Sequence, residues 1–549
     1  MKVDKLHIRS RFKNLENVRV DFDEDHLMTV VVGRNGSGKS NVLEALVAIF
    51  RNLDLGEAPP FSYELNYRLG EPHQEHKQSE RWLEITIDAD PERGSLAKQY
   101  QVHVLDLLEQ PTKDLLGEKS IGKTVPFSKV KRDKEGNAPY LPKYVFAYYS
   151  GPSDRLENYF QKHRVNFYKK LLNDEVDLKG DIRPLFYAKP NHSQFVLLAF
   201  FLSKKSAAES EFLREHLGIE GLDSIHFVMR RAGWTRANKK KELFWGAYGV
   251  VRTFLDTLYP HVLAPIKVER NEGMTLTGKG NKNEFFHLFL PNVDALREFA
   301  KGLNPDELFK MLESTLLSEI ISEVSIRVKV SSSDDPLTFR ELSEGEQQLL
   351  TVLGLLKFTG GKDSLFLLDE PDTHLNPSWA VKYLQFLRDF VPNHETSHLL
   401  MVTHHPLAIA ELKKQQVQVM WQDEDYKVHS KEPYIDPRGA GFMSTLTEIF
   451  GLNTTLDLET QKVLDERNEL ASSENKTDKQ VYRLDILNDE LNRLGFSFEN
   501  RDPLYNEFLL AWKDLRYSDK PPLTPDKAAL RRAAMKNVIE VLQKKEKSS

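Results

Sequence analysis

Met28-Thr29-Val30-Val31-Val32-Gly33-Arg34-Asn35-Gly36-Ser37-Gly38-Lys39-Ser40-Asn41-Val42-Leu43-Glu44-Ala45-Leu46 is the stretch that decides the fold. Met28 to Val32 is an apolar run suited to a buried strand, and Val42, Leu43, Leu46, Val47 and Phe50 recur at helical spacing. Between them Gly33 to Ser40 fits G-x-x-x-x-G-K-[ST], in which glycines let backbone N–H groups close round phosphate oxygens. Lys39 then neutralises phosphate charge, Ser40 offers a hydroxyl to Mg²⁺, and the start of the helix favours an anion. With strands expected at Lys5 to Ile8 and Val18 to Phe22, the first fifty residues read as β-β-α.

The same pattern occurs again at Gly117-Glu118-Lys119-Ser120-Ile121-Gly122-Lys123-Thr124. That copy follows the polar run Glu109 to Asp114, and Pro126 stands where a helix would have to propagate. Lacking both strand and helix, it reads as a chance match.

Two later strands complete a site. Ser364 to Leu368 is apolar and runs into Asp369-Glu370-Pro371, two adjacent carboxylates of the kind phosphoryl transfer uses. Asp369 would hold Mg²⁺, and Glu370 would polarise the attacking water as general base. A buried strand meeting solvent at an acidic turn would look the same in isolation. His398 to Thr403 is a further apolar run, followed by His404, placed to contact a γ-phosphate. Leu342-Ser343-Glu344-Gly345-Glu346 precedes a helix with Leu349, Leu350, Leu353 and Leu356; Ser343 and Glu346 form an S-x-x-E capping box, and the same helix start can receive an anion.

The rest of the chain divides round these motifs. Residues 1–150 are expected to hold the first part of a head, with a polar insertion at 51–140. Residues 151–330 read as a mostly helical inserted lobe, with helices at Arg155 to Leu172, Gln194 to Lys204 and Ala295 to Leu317 and hairpin-like pieces near 230–245 and 265–290. Residues 331–430 return to strand and helix, and 431–549 read as a helical tail with a Pro-rich break at Lys520 to Pro525, a candidate for partner docking. The 549 residues carry a formal charge of −6, so no global basic field drives nucleic-acid binding. There is no cysteine, which excludes disulfides and cysteine-ligated zinc and suits the cytoplasm. The longest strongly apolar run, Phe195 to Leu202, is far short of the ~20 residues that span a bilayer, so no membrane is expected.

GRNGSGKSN, LSEGE, LFLLDEP, PDTHLNP and VTHHP together resemble the Walker A, signature, Walker B, D-loop and H-loop of ABC ATPases. The resemblance implies an α/β P-loop head in which Gly33, Arg34, Asn35, Gly36, Ser37, Gly38, Lys39, Ser40 and Asn41 bind ATP, with Mg²⁺ on Ser40 and Asp369. It implies that Ser343 and Gly345 of one head close over ATP on another, pairing two copies, and that Asp372 communicates across that interface. Asn41-Val42-Leu43-Glu44-Ala45-Leu46 looks like the RecF, SMC and OLD branch. Within it, Arg183 to Ala188, His192 to Phe201 and Phe450 to Asp457 are similar to the PtuA family of Septu and retron-associated antiphage systems. That likeness implies an HNH nuclease partner, PtuB, and in a retron a reverse transcriptase with its msDNA. A RecF-like DNA repair or loading ATPase and a self-contained OLD-like nuclease are the rivals.

Two departures stand out. Tyr144-Val145-Phe146-Ala147-Tyr148-Tyr149-Ser150-Gly151 has no glutamine where the Q-loop should follow, which leaves one Mg²⁺ contact unassigned. The only candidate for an OLD-type metal site is Asp423-Glu424-Asp425, which reads better as a hairpin turn. Finally, Arg230, Arg231, Trp234, Arg236, Lys239, Lys240, Lys241 and Trp245 mix cations with aromatics, as nucleic-acid contact needs and as a solvated hairpin would also show.

Overall fold

The computed structural model describes residues 1–496 apart from 24, 74–78, 109–121, 174, 176–182, 205–206, 236–241, 273–279, 360, 362, 392, 453–455 and 473–475. The chain opens with β1 (Lys2–Ile8) and β2 (Val18–Asp21), enters β3 (Met28–Gly33) and turns through the glycine loop into helix α1 (Lys39–Leu55). There follow β4 (Tyr63–Gly70), β5 (Trp82–Ala89), β6 (Tyr100–Asp106), β7 (Lys123–Val125), β8 (Tyr144–Tyr149) and β9 (Leu185–Tyr187). Next come β10 (Ile219–Arg230), β11 (Leu263–Glu272), β12 (Asn281–Leu290), β13 (Ile321–Val330) and β14 (Ser333–Thr338). The last strands are β15 (Ser364–Asp369), β16 (Ser397–Val402), β17 (Val417–Gln422) and β18 (Val428–Lys431).

The central sheet runs β18-β17-β3-β16-β15-β8-β9, and all its pairs are parallel except β17 with β18. β3, β15 and β16 are buried along their whole length, which is why they appear in the sequence as unbroken apolar runs rather than alternating ones. Registers set Asp369 beside Val402 and Tyr149, and Gly33 beside Met420, so the carboxyl ends of β3, β16, β15 and β8 share one edge. In parallel α/β sheets that edge is where ligands bind.

The segment expected as an insertion belongs to the head. β4 to β7 join β1 and β2 in a six-stranded antiparallel sheet, β2-β1-β4-β5-β6-β7, whose buried residues pack with Val42, Leu43, Leu46, Val47 and Phe50 of α1 in one core. β4 alternates strictly between buried and half-exposed residues. That alternation gives a sheet with one wet face the polar composition of a loop.

Helices do occupy the inserted lobe, at Glu157–Leu172, His192–Phe200, Val293–Phe299 and Pro305–Leu317 among others. They are arranged round a five-stranded antiparallel sheet, β11-β12-β10-β13-β14, which the sequence reading registered only as hairpin-like pieces. Asn304 and Glu307 form the capping box that separates the last two helices, which the sequence reading ran together.

The described part of residues 456–549 forms a separate unit in which helices Leu458–Ser472 and Asp478–Arg493 pack on each other, with Arg483 paired to Glu466 at 2.7 Å. The Pro-rich break at Lys520 to Pro525 lies outside the described residues. Among the described residues no helix is long and apolar enough to cross a membrane.

Candidate nucleotide site

The loop between β3 and α1 has the backbone a phosphate cradle requires. Gly33, Gly36 and Gly38 all have positive φ. At Gly33 a Cβ would lie 2.1 Å from the Met420 carbonyl oxygen on β17, and at Gly38 it would strike Leu15 and Asn14. The loop is pinned from outside: Asn14 Nδ2 donates to the Gly36 carbonyl at 2.9 Å, and Asn41 Nδ2 donates to Asn14 Oδ1 at 2.6 Å. Arg34 turns to the Gly451 carbonyl, so the Phe450–Gly451 segment touches the loop directly; Asn453 to Thr455 lie outside the described residues.

Lys39 is 4% exposed and its Nζ donates to the Gly33 and Arg34 carbonyls, 2.9 Å each. Burial lowers its pKa to about 8 against the opposing pull of Glu370 and Asp369. Ser40 Oγ donates to Asp369 Oδ1 at 2.9 Å across 329 residues of sequence, which puts the loop and the β15 carboxylate in one place. Asp369 is 1% exposed; burial raises its pKa to about 6, while Ser40 and Arg155 pull it back. A hydroxyl and a carboxylate side by side next to a phosphate cradle are the hard oxygen donors that Mg²⁺ takes, with the remaining ligands left to phosphate and water.

Glu370 has φ 52, a left-handed conformation costing about 1–2 kcal/mol outside glycine. Its backbone is held there: its N–H donates to the Val402 carbonyl, while its own carbonyl accepts from Thr373 Oγ1 at 2.8 Å and Gln348 Nε2 at 3.3 Å. The turn leaves its carboxylate a third exposed and 3.4 Å from His404 Nε2. Burial and the charge of Lys39 lower the pKa of His404 against the pull of Glu370, so near neutral pH it offers a neutral imidazole.

Asp372 is turned inward. It is 2% exposed and accepts from Thr403 Oγ1 at 2.6 Å, so within one head it ties the turn after β15 to the end of β16, one residue before His404. Ser343 is exposed and exchanges hydrogen bonds with Glu346 in the capping box. A Cβ on Gly345 would come within 2.5 Å of the His374 carbonyl, so glycine lets the segment after Glu370 lie against this helix start. The cap thus engages the Ser343 hydroxyl while leaving the residue exposed.

Three participants escaped the sequence reading. Gln348 bridges the Glu370 carbonyl and the His374 N–H, and Asn14 braces the loop. Arg155 reaches Asp369 Oδ2 at 2.8 Å from just beyond β8, where the glutamine is lacking. None follows a motif that spacing could reveal.

The described part of the aromatic–basic stretch is tied into the fold. Trp245 is fully buried against Phe286 and donates to Glu284, and Trp234 donates to the Ser318 carbonyl at 2.7 Å. Arg230 and Arg231 bond to Glu319 and Thr235. Trp245 is thereby part of the core, whereas Trp234 is partly exposed; Arg236 and Lys239 to Lys241 lie outside the described residues. Asp423 accepts from the N–H groups of Asp425 and Lys427 and pairs with His429, which makes residues 423–427 the turn of the β17–β18 hairpin. In the second glycine-lysine copy, residues 117–121 lie outside the described residues, while Lys123 and Thr124 sit in β7, paired antiparallel to β6.

Residues 1–194 match the family model described as "AAA ATPase domain", and residues 189–410 the one described as "AAA domain, putative AbiEii toxin, Type IV TA system". Two curated relatives both carry the name Septu protein PtuA. The one from Bacillus mycoides (strain KBAB4) is 23% identical over 222 residues, 38% of this chain and 31% of the relative. The one from Bacillus thuringiensis is 25% identical over 233 residues, 38% of this chain and 57% of the relative. The matches thus span less than two thirds of either relative's length. Among solved structures, an SMC head bound to the C-terminal winged-helix domain of ScpA overlaps at TM-score 0.31 and 13% identity, covering 79% of this chain and 98% of that one; the fold is established instead by the sheet order and the strand-loop-helix unit. Sheet, site and family models define a P-loop ATPase head. Over the segments matched, the chain is similar to the Septu protein PtuA of both organisms.

Proposed function

We propose that this chain binds Mg·ATP at Gly33 to Asn41, hydrolyses it, and uses its nucleotide state to gate a separately encoded HNH nuclease in antiviral defence. The observation that carries the nucleotide reading is the Ser40–Asp369 hydrogen bond, which joins loop and carboxylate at the edge where parallel strands end. Magnesium, once bound, would neutralise phosphate charge. The chain's own contribution is to hold it with Ser40 and Asp369, to receive phosphate on Lys39 and the loop N–H groups, and to aim Glu370 at a water.

A second copy would close the site with Ser343 and Gly345, giving two nucleotides per two-fold pair. The nuclease partner and the defence role rest on the PtuA likeness, and a cysteine-free chain suits the cytoplasm. Glu370→Gln is expected to lower ATP turnover by about 10²–10⁴ while retaining ATP and stabilising the pair, read as an ATP-dependent shift in size. Undiminished turnover removes Glu370 from the role of base. Native pull-down of the chain should recover an HNH protein, with a reverse transcriptase and DNA as well in a retron assembly; recovery of neither removes the gating role.

A further inference from the structure

Arg155 stands between two buried carboxylates. Its Nη2 donates to Asp369 Oδ2 at 2.8 Å, and its Nε lies 3.4 Å from Glu44 Oε1. Both carboxylates are 1% exposed, and Arg155, a third exposed, stacks over Tyr149 at 4.7 Å. The contact to Glu44 is an unfinished one: Arg155 Nε and Glu44 Oε1 are both buried and neither makes a hydrogen bond. Glu44 also pairs with Lys13. One nitrogen of the guanidinium is thus bonded to Asp369, and another faces a Glu44 oxygen with bonding capacity to spare.

Asp369 is the carboxylate assigned to magnesium, through the oxygen that accepts from Ser40. A dication there competes with the guanidinium for the same charge, since like charges a few ångströms apart in a buried site repel strongly. We propose that Arg155 is a two-position switch that pairs with Asp369 until Mg²⁺ loads and then passes to Glu44. The inference rests on the Mg·ATP reading above. It assigns a function to the position that lacks the Q-loop glutamine: a metal-responsive cation replaces a metal ligand. Arg155 lies in the turn at 150–156, which Ser150 also fastens to the site through Thr373 Oγ1 at 3.1 Å and the Asp369 carbonyl, so the transfer changes how that turn is held.

The test is a Mn²⁺ titration of the full chain with ADP present at pH 8, read by electron paramagnetic resonance. Arg155→Gln removes the competitor and should tighten Mn²⁺ about two- to fivefold, the worth of a partly exposed ion pair. Glu44→Gln removes the alternative partner and should weaken Mn²⁺ by a similar factor, and in the Arg155→Gln background it should have no further effect. Unchanged or weakened affinity in Arg155→Gln, or additive effects in the double variant, overturns the switch. In the wild-type protein, amide exchange across 150–156 should change when Mn·ADP is added; identical exchange overturns it without any variant. Absence of Asp369-dependent Mn·ADP binding in the wild type would remove the nucleotide reading itself, whereas intact binding with an indifferent Arg155 removes the switch alone.

Discussion

The chain carries the same eight-position glycine-lysine pattern twice, and the two copies share almost nothing else. Gly33 to Ser40 lies where a buried parallel strand turns into a helix, with Asp369, Glu370 and His404 gathered at its edge. The second copy ends in β7, where Lys123 and Thr124 lie in an antiparallel ladder and a Cβ on Gly122 would come within 2.6 Å of the Val104 carbonyl. A helix start concentrates unpaired N–H groups on an anion, whereas a strand commits them to its neighbour. Phosphate binding is a property of that junction, and the residue pattern only permits it.

The comparison breaks most readily at its two lysines. Lys39→Ala removes the buried ammonium from the loop and should weaken ATP binding about a hundredfold, as loss of charged hydrogen bonds to phosphate implies; isothermal titration measures it. A smaller effect is set by pH. Burial raises Asp369 to about 6, so its carboxylate, and with it the metal seat, is lost as pH falls through that value. Burial lowers Lys39 to about 8, so its charge is lost as pH rises above that value. Mg·ATP affinity should therefore peak between about 6 and 8 and fall on both sides, while Lys39→Ala should lose the alkaline limb alone. At the bottom of the scale, Lys123→Ala should leave ATP affinity within about twofold of wild type, as expected of a surface change away from the site. An effect at Lys123 as large as that at Lys39 would invert the assignment.

How far the sequence could be read follows from the same contrast. β3, β15 and β16 are buried on both faces, so their apolar runs announce them, and motif order alone places Asp369 and His404 with the loop. β4 to β7 are half-wet and join β1 through β4, far along the chain; their alternation imitates a polar insertion until that partner strand is known. β10 likewise pairs with β12 and β13 over long separations that no local pattern encodes. The left-handed turn at Glu370 and the Asp372–Thr403 latch depend on neighbours about thirty residues away, and Arg155 is a lone cation at the start of a helix. Such residues become functional only through what the fold places beside them.

The central claim is that a loop near residue 39 and a carboxylate at residue 369 serve one metal-bound triphosphate. Its most direct test is the Mg²⁺ dependence of ATP affinity in wild type and in Asp369→Asn. Magnesium should strengthen ATP binding in the wild type, and that gain should vanish in the variant while the metal-free affinity changes little. An equal magnesium gain in both proteins would mean that Asp369 and Lys39 serve different ligands, and would contradict the account.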